Sequence, residues 1–393
     1  MIEKLTARFI EKYRVQPILF RSPGRVNIIG EHTDYNDGFV LPAAINKNIY
    51  VAVSKRKDSI INLYALNFNE GLVFDINDVE KSATQWPNYI LGVVDQLQKN
   101  GCLLTGFNLM IDGDVPIGSG LSSSAAVECA TAFALNEIFE LCLDKIKMSF
   151  MAQKAEHTFA GVNCGIMDQF ASMLGKKDHV IKLDCRSLEY EYIPFKLDGY
   201  KIVLLNTNVK HNLASSEYNI RRQQCEEGVA MIKPFHPSVK SLRDVNMDML
   251  VKHVAITHPL IYQRCKYVVE ENIRLLAACE DLKKGNIIAL GNRMYQSHIG
   301  LSTEYEVSCK ELDFLVDHVK NIPAVAGARM MGGGFGGCTI NLIQDDAVEK
   351  TIEEVSIAYE KAMKLPLTSY IAVIDDGTSE CKTTDLQLAA NSL

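Results

Sequence analysis

The chain has 393 residues, of which 47% are hydrophobic and 23% are charged. These fractions are close to the averages of soluble globular proteins, and they exclude a disordered chain, a collagen and a coiled-coil rod. The formal net charge of −7 excludes a global attraction to nucleic acid or to an anionic membrane, so an anionic ligand would need a local binding site. Domains of roughly 100–200 residues predict two domains or one two-lobed unit.

Residues 1–13 are charged throughout and lack the apolar core of a signal peptide. Leu5, Phe9 and Ile10, with charges between them, predict a surface amphipathic helix. No stretch reaches the ~18–20 apolar residues of a membrane span. The 11 cysteines form no CxxC pair, which favours free thiols in a reducing compartment over zinc ligands. We therefore expect a soluble cytoplasmic protein.

The pattern of apolar residues predicts a mixed α+β fold, with strands clustered early and helices later. Short apolar or alternating runs predict strands at residues 50–54, 60–64, 107–111, 201–205 and 339–343. Helical composition or spacing marks residues 125–138, 144–159 and 262–279. The break at Pro194, before a new strand, suggests an N-terminal lobe of residues 1–195 and a C-terminal lobe of residues 196–393.

An acidic cluster follows Gly30, where Glu31, His32 and Asp34 lie within four residues. Carboxylates that can each accept two hydroxyl protons suit a polyhydroxyl ligand. A zinc or calcium site is the alternative, although neither HExxH nor EF-hand spacing is present. Upstream, Arg25 stands among apolar and turn residues, which favours a partly buried guanidinium with a definite anionic partner over a surface charge.

A glycine-serine loop at residues 116–126 lies between a predicted strand and a predicted helix. Its glycines let backbone N–H groups turn towards a ligand, and a helix N-terminus favours an anion. The loop lacks the Gly-Lys-Ser/Thr of a Walker motif, and Ser123 stands where a Rossmann fingerprint has its third glycine. We interpret it as a nucleotide-phosphate loop; an ordinary helix cap is the alternative.

Two further segments are less specific. Asp168 lies in the first turn of a helix predicted after Gly165, where the helix dipole stabilises a carboxylate, and Glu156 precedes it. Both residues could equally be ordinary helix charges. The five glycines around Phe335 require backbone to lie close to a ligand or to another loop, and tight strand packing is the alternative.

Together these motifs resemble those of the galactokinases of the GHMP small-molecule kinase superfamily. Residues 24–36, Gly-Arg-Val-Asn-Ile-Ile-Gly-Glu-His-Thr-Asp-Tyr-Asn, look like the galactokinase signature, and the resemblance continues through the glycine-serine loop and residues 164–170 to residues 331–338. Ser119 stands where relatives often have Ala, and Met331 where they have Thr.

The resemblance implies a role for each matching residue. The sugar would be bound by six residues: Glu31, His32, Thr33, Asp34, Gly165 and Tyr218. The ATP phosphates would be bound by the loop residues Gly118, Ser119, Gly120, Leu121, Ser122, Ser123 and Ser124. Ser124 and Glu156 would ligate Mg²⁺. Asp168 would act as the base, and Arg25 would lie between Asp168 and the γ-phosphate. Residues 86–89 are similar to the family segment near the adenine.

The implied fold is two-lobed, with an N-terminal lobe like ribosomal protein S5 and a ferredoxin-like C-terminal lobe. The implied reaction is the ATP- and Mg²⁺-dependent phosphorylation of galactose at its anomeric hydroxyl, which gives α-galactose 1-phosphate and ADP and begins galactose catabolism. A kinase for a related sugar such as N-acetylgalactosamine and a non-catalytic galactose and ATP sensor are the alternatives. We expect a monomer that binds neither nucleic acid nor membrane.

Overall fold

The computed structural model describes residues 1–209 and 214–381. Its strands are β1 (Ile18–Asn27), β2 (Phe39–Val40), β3 (Pro42–Lys55), β4 (Ile60–Ala65), β5 (Glu70–Asp75), β6 (Phe107–Gly113), β7 (His179–Asp184), β8 (Tyr190–Pro194), β9 (Tyr200–Asn206), β10 (Val325–Met330), β11 (Cys338–Gln344), β12 (Thr368–Ala372) and β13 (Ser379–Glu380). Its α-helices are α1 (Ile2–Tyr13), α2 (Pro87–Lys99), α3 (Ser123–Phe139), α4 (Lys145–Ala155), α5 (Met167–Leu174), α6 (Ala214–Ile232), α7 (Met247–Leu250), α8 (Pro259–Lys283), α9 (Ile287–Ile299), α10 (Lys310–Val319) and α11 (Val348–Met363). This content confirms the α+β class.

The first sheet has the strand order β13-β1-β3-β6-β4-β5, in which only the β4–β6 pair is parallel. Successive side chains of a strand point to opposite faces, so β3 contributes to two apolar layers. Val51 and Val53 pack into the main core with α2, α3 and α4, whereas Ala52 packs against Leu5 and Phe9 of α1. The sheet therefore lies between α1 and the layer that carries the glycine-serine loop.

The second sheet has the antiparallel order β10-β11-β9-β12. Val203 and Leu205 of β9 pack in a core with α10 and α11, while Ile202 and Leu204 face the main core. A third sheet, β2-β7-β8, contacts β3 and α8. The chain then returns to the first sheet through β13, where Ser22 and Thr378 share a buried hydrogen bond of 2.8 Å. The boundary near residue 195 stays a prediction.

The predicted segments fall within observed elements. All five predicted strands lie inside β3, β4, β6, β9 and β11, and α1 buries Leu5 and Phe9. The helix predicted for residues 144–159 is α4, which continues as a π-type turn from Glu156 to Ala160. Strand β1 has no strand-like pattern because Pro23 and Gly24 interrupt it, and the register shifts there.

The structure also bears on membrane spans and on the cysteines. No helix among residues 1–209 and 214–381 is long and apolar enough to cross a membrane. None of the 11 cysteines, all of which lie within the described part of the chain, forms a disulfide.

Candidate active site

Residues from five distant parts of the chain meet around a cavity of about 300 Å³. The acidic cluster comes from the turn after β1, the loop residues from the start of α3, and the remaining groups from the region around α5, from α6 and from the glycine-rich loop before β11. The cavity is lined by Arg25, Glu31, His32, Asp34, Gly120, Ser122, Glu156, Val162, Cys164, Met167, Asp168, Tyr218, Gly332 and Gly333.

The turn after β1 is held by its own backbone and by Thr33. The Thr33 hydroxyl lies 2.9 Å from the carbonyl of Gly30 and 2.5 Å from that of Phe39, and it is fully buried. Gly30 has a φ of 98°, and a Cβ there would overlap the side chain of Leu275. Thr33 therefore holds the turn and does not line the cavity, whereas its neighbours Glu31, His32 and Asp34 do.

Glu31 is anchored by groups that its own segment does not supply. Its Oε1 accepts one hydrogen bond of 2.9 Å from Arg329 and another of 2.9 Å from the backbone N–H of Gly332. Burial opposes ionisation, but Arg329 and then Arg25 lower the pKa of Glu31 below its usual range. Arg329, which the sequence patterns did not single out, is fully buried and also bonds to the carbonyls of Asn27 and Ile28.

Asp34 has the opposite environment. Burial and the nearby carboxylate of Asp168 raise its pKa to about 7, although the Tyr35 N–H donates to it at 2.9 Å. Gly165 packs against this carboxylate so closely that a Cβ at Gly165 would overlap it. The structure thus brings Gly165 beside the acidic cluster, where it leaves room for Asp34.

Arg25 and Asp168 form a two-bond fork at the centre of the cavity. Arg25 Nε and Nη2 donate to the two oxygens of Asp168, each at 2.8 Å, and Nη1 donates to the carbonyl of Gly120 at 2.5 Å. Ser122 also donates to Asp168. Burial opposes ionisation of Arg25, yet Asp168 raises the pKa of the guanidinium, which stays charged. The anionic partner expected for Arg25 is therefore Asp168.

The glycine-serine loop leads into α3 through residues in left-handed conformations. Gly118 and Gly120 have φ values of 75° and 80°, and Ser122 has 58°. Ser119 donates to the carbonyl of Pro116 at 2.7 Å and Leu121 is buried, so these two side chains support the loop.

A second cavity, of about 400 Å³, lies on the other side of the loop. Ser123 and Ser124 line it together with Trp86 and Tyr89. Trp86 Nε1 donates to Glu70 at 2.6 Å, which orients the indole. The loop thus separates the cavity of the acidic cluster from an aromatic-lined one.

Glu156 lies near Ser124, whose hydroxyl favours the ionised form of the carboxylate and so acts to lower its pKa. Gln169 Nε2 donates to Glu156 at 2.7 Å and to Glu128 at 3.0 Å. Burial and Asp168 raise the pKa of Glu156, and burial and Glu156 raise that of Glu128.

The donor set at Glu156 fits Mg²⁺, because carboxylate and hydroxyl oxygens are its usual protein ligands. Buried Glu128 Oε1 and Gln169 Oε1 have no hydrogen-bond partner among the described residues, so two further oxygen acceptors near Glu156 are unused. No cluster of three or more His, Cys, Asp or Glu side chains suited to a metal occurs within residues 1–209 and 214–381.

The glycine-rich loop before β11 lies against another loop. A Cβ at Gly334, whose φ is 87°, would overlap the carbonyl of Val307, and Phe335 N–H donates to that carbonyl at 2.7 Å. Gly332 and Gly333 line the first cavity. The glycines therefore permit both close loop packing and close approach to the site.

Three family models match the chain. The galactokinase galactose-binding signature matches residues 7–55, the GHMP kinases N terminal domain matches residues 88–176, and the GHMP kinases C terminal model matches residues 278–361. The N- and C-terminal matches confirm the expected two-lobed GHMP kinase fold.

Individual relatives and a solved structure point to the same family as these models. A galactokinase of Thermotoga neapolitana is 43% identical over 360 residues, which are 92% of this chain and 99% of the relative. A galactokinase of Fusobacterium nucleatum is 43% identical over 390 residues, 97% of this chain and 100% of the relative. The crystal structure of Lactococcus lactis galactokinase complexed with galactose is similar with a TM-score of 0.94 and 35% identity, covering 97% of this chain and 100% of that one.

Proposed function

This chain belongs to the galactokinase family, which confirms the resemblance seen in its sequence, and on that premise we propose that it phosphorylates galactose with ATP at the anomeric hydroxyl, giving α-D-galactose 1-phosphate and ADP. The observation that carries the proposal is the Arg25–Asp168 fork, which lies in the same cavity as Glu31, His32 and Asp34. Phosphoryl transfer requires a group that orients the attacking hydroxyl and a group that neutralises charge, and Asp168 and Arg25 can take these two roles.

Asp168 is the proposed base. Its carboxylate accepts from Arg25 and Ser122, so it is held in one orientation, and it would direct the anomeric hydroxyl towards the γ-phosphate and accept its proton. In a loose transition state the proton leaves late, so orientation is the larger contribution. Arg25 is buried and charged, and it would stabilise the negative charge on the moving phosphoryl group.

The loop of residues 118–124 is the proposed phosphate site, because it has positive-φ residues at the start of α3, where free backbone N–H groups and the helix dipole favour an anion. The adjoining aromatic cavity with Trp86 and Tyr89 would hold the adenine. Ser124 and Glu156 would hold Mg²⁺, which neutralises phosphate charge when it is bound.

Glu31, His32 and Asp34 are the proposed sugar contacts, with Tyr218 completing the wall of the cavity. Thr33 and Gly165 would act by shaping this site, since one holds the turn and the other makes room for Asp34. We expect a cytoplasmic monomer that binds these small molecules and neither nucleic acid nor membrane.

Enzyme assays with purified protein test the function. ADP release should require galactose, and glucose, which differs only in the direction of the C4 hydroxyl, should be poorer by at least ~10³-fold in kcat/KM because a misplaced hydroxyl leaves buried polar groups unpaired. N-acetylgalactosamine is the third substrate to compare. Galactose binding without ADP release would indicate a sensor, and faster turnover of N-acetylgalactosamine would indicate the related kinase.

The matched variant is Asp168→Asn, which keeps the shape of the side chain. It should bind both substrates within about tenfold of the wild type while kcat falls by at least ~10²-fold. Unchanged turnover would assign Asp168 a structural role and place the base elsewhere.

A further inference from the structure

A chain of hydrogen bonds runs from the sugar cavity into the C-terminal half of the molecule. His32 Nδ1 lies 2.7 Å from the hydroxyl of Tyr35, which lies 2.8 Å from the hydroxyl of Tyr305. The Tyr305 hydroxyl lies 3.2 Å from Cys225 Sγ. Tyr305 and Cys225 are fully buried. We call these four groups the His32 relay.

The rings of the relay also pack against one another. The His32 ring centroid is 4.9 Å from that of Tyr305 and 5.8 Å from that of Tyr35. On the cavity side, Tyr218 lies 5.3 Å from His32. His32 itself has a φ of 62°, so its backbone is held in a conformation that side chains rarely adopt. The imidazole thus has little freedom to turn.

The other ring nitrogen of His32, Nε2, has no strong hydrogen bond within the described part of the chain. Nε2 is buried, and His32 lines the cavity. Burial lowers the pKa of His32 to about 4, although Glu31 and the Gly333 backbone favour protonation. At neutral pH the ring therefore carries one proton, on either Nδ1 or Nε2.

We propose that Tyr35 and Tyr305 are positioning residues that hold His32 in one orientation and one tautomer, so that Nε2 offers a sugar hydroxyl a single, defined hydrogen-bonding function. The relay can do this because each phenol has one proton. If Tyr35 donates to Nδ1, then Nε2 carries the ring proton; if Nδ1 donates to Tyr35, then Tyr35 donates onward to Tyr305 and Nε2 is an acceptor.

The proposal rests on the proposed function only in assigning a sugar to the cavity. The tautomer can be measured without any substrate, from the nitrogen chemical shifts of ¹⁵N-histidine-labelled protein, with His32 assigned by comparison with His32→Gln. Wild-type protein should show one tautomer. Tyr305→Phe and Tyr35→Phe keep the rings but remove a hydroxyl, so both should shift His32 to a mixture of tautomers.

Kinetics provide the second measurement. Each Phe variant should raise the KM for galactose by roughly fivefold or more, the size expected for one lost hydrogen bond, and leave the KM for ATP unchanged. Tyr359→Phe is the matched control, because its buried hydroxyl donates to the Thr207 carbonyl at 2.8 Å in another part of the core. Cys225→Ser should retain the wild-type tautomer, whereas Cys225→Ala should not.

A mixture of tautomers in the wild type, or one unchanged tautomer in both Phe variants, would overturn the proposal. An equal rise in KM for galactose in Tyr359→Phe would do the same, since it would reflect a general loss of stability. A protein with the expected tautomers that releases no ADP with galactose would leave the relay standing and refute the proposed function.

Discussion

At the scale of single residues, the pKa values of two carboxylates in the acidic cluster are shifted in opposite directions. Glu31 faces Arg329 and Arg25, and these lower its pKa against the effect of burial. Asp34, three positions later, is buried near Asp168, and its pKa rises to about 7. The difference follows from the charge that each side chain meets across the cavity, because their backbone segment is the same.

The raised pKa of Asp34 predicts that Asp34→Asn stabilises the free protein at high pH. The folded state must ionise a buried carboxyl as pH rises from the unfolded pKa near 3.8 through about 7, so stability falls over this window. The variant avoids this loss, and its free energy of unfolding should exceed that of the wild type by on the order of 1–3 kcal/mol at about pH 8 and by much less at about pH 4. Urea unfolding at the two pH values measures it.

Glu31→Gln is the control, because it should change the pH dependence of the free energy of unfolding in the opposite direction. Because the folded pKa of Glu31 is lowered, its carboxylate contributes stability that is present above the unfolded pKa and lost as pH falls through the folded one. The variant should therefore be less stable than the wild type at high pH. An equal effect of Asp34→Asn at both pH values would contradict a raised pKa.

Gly165 gives a second prediction at this scale. Since a Cβ would overlap Asp34, Gly165→Ala should displace the carboxylate and raise the KM for galactose by at least about tenfold, with ATP affinity within about twofold. Isothermal titration with each ligand separates the two effects. Unchanged galactose binding would mean that Asp34 does not contact the sugar.

At the scale of elements, three helical segments meet around Glu156. Glu128 lies on α3, Glu156 begins the π-type turn after α4, and Gln169 on α5 donates to both carboxylates. A wider turn at a functional position is common, because it re-aims one side chain without ending the helix. The arrangement places one carboxylate beside Ser124 and keeps the other in the core.

Glu156 and Glu128 can be compared to test which carboxylate binds Mg²⁺. Glu156→Gln should raise the Mg²⁺ concentration for half-maximal activity by at least about tenfold, because it removes a charged oxygen ligand. Glu128→Gln should change it by less than about twofold, since that carboxyl is fully buried in the core and burial raises its pKa, which disfavours a charged ligand. A Mg²⁺ titration of ADP release compares them. Equal effects would show that the two residues act only through packing.

At the scale of the whole molecule, Arg329 ties the two sheets together. It lies on β10 of the second sheet, and it bonds to the carbonyls of Asn27 and Ile28 and to Glu31, all in or next to β1 of the first sheet. Glu31 in turn accepts from Gly332. Glu31, a proposed sugar contact, is therefore part of the contact between the two halves of the chain.

Arg329→Lys should lower the free energy of unfolding by about 2–4 kcal/mol, because an ammonium cannot reach all of these buried acceptors. It should also weaken galactose binding through Glu31. The control is Arg293→Lys in the half-exposed pair with Asp281, which should change stability by less than about 1 kcal/mol. Denaturant unfolding measures both, and equal losses would argue that Arg329 is an ordinary ion pair.

Local patterns in the sequence were sufficient to predict much of the fold and to single out segments that line the two cavities. Strand alternation and helical spacing act over a few residues, and Glu31, His32 and Asp34 or the residues 118–124 are contiguous, so their chemistry is visible without a fold. The residues alone also predicted an anionic partner for Arg25. Strand β1 was not predicted, because Pro23 and Gly24 interrupt its alternating pattern. In the structure, hydrogen bonds to β3 and β13 stabilise it as a strand.

The family resemblance implied that Arg25 lies near Asp168, but only the tertiary structure decided which other distant groups meet. Asp168 lies 143 positions from Arg25, and Arg329 lies 298 positions from Glu31, and nothing in the spacing along the chain encodes these contacts. The raised pKa of Asp34 and the relay through Tyr305 depend on the same long-range packing. Charges and hydrogen bonds act over a few ångströms of space, so the state of each site residue is set by neighbours that folding brings to it.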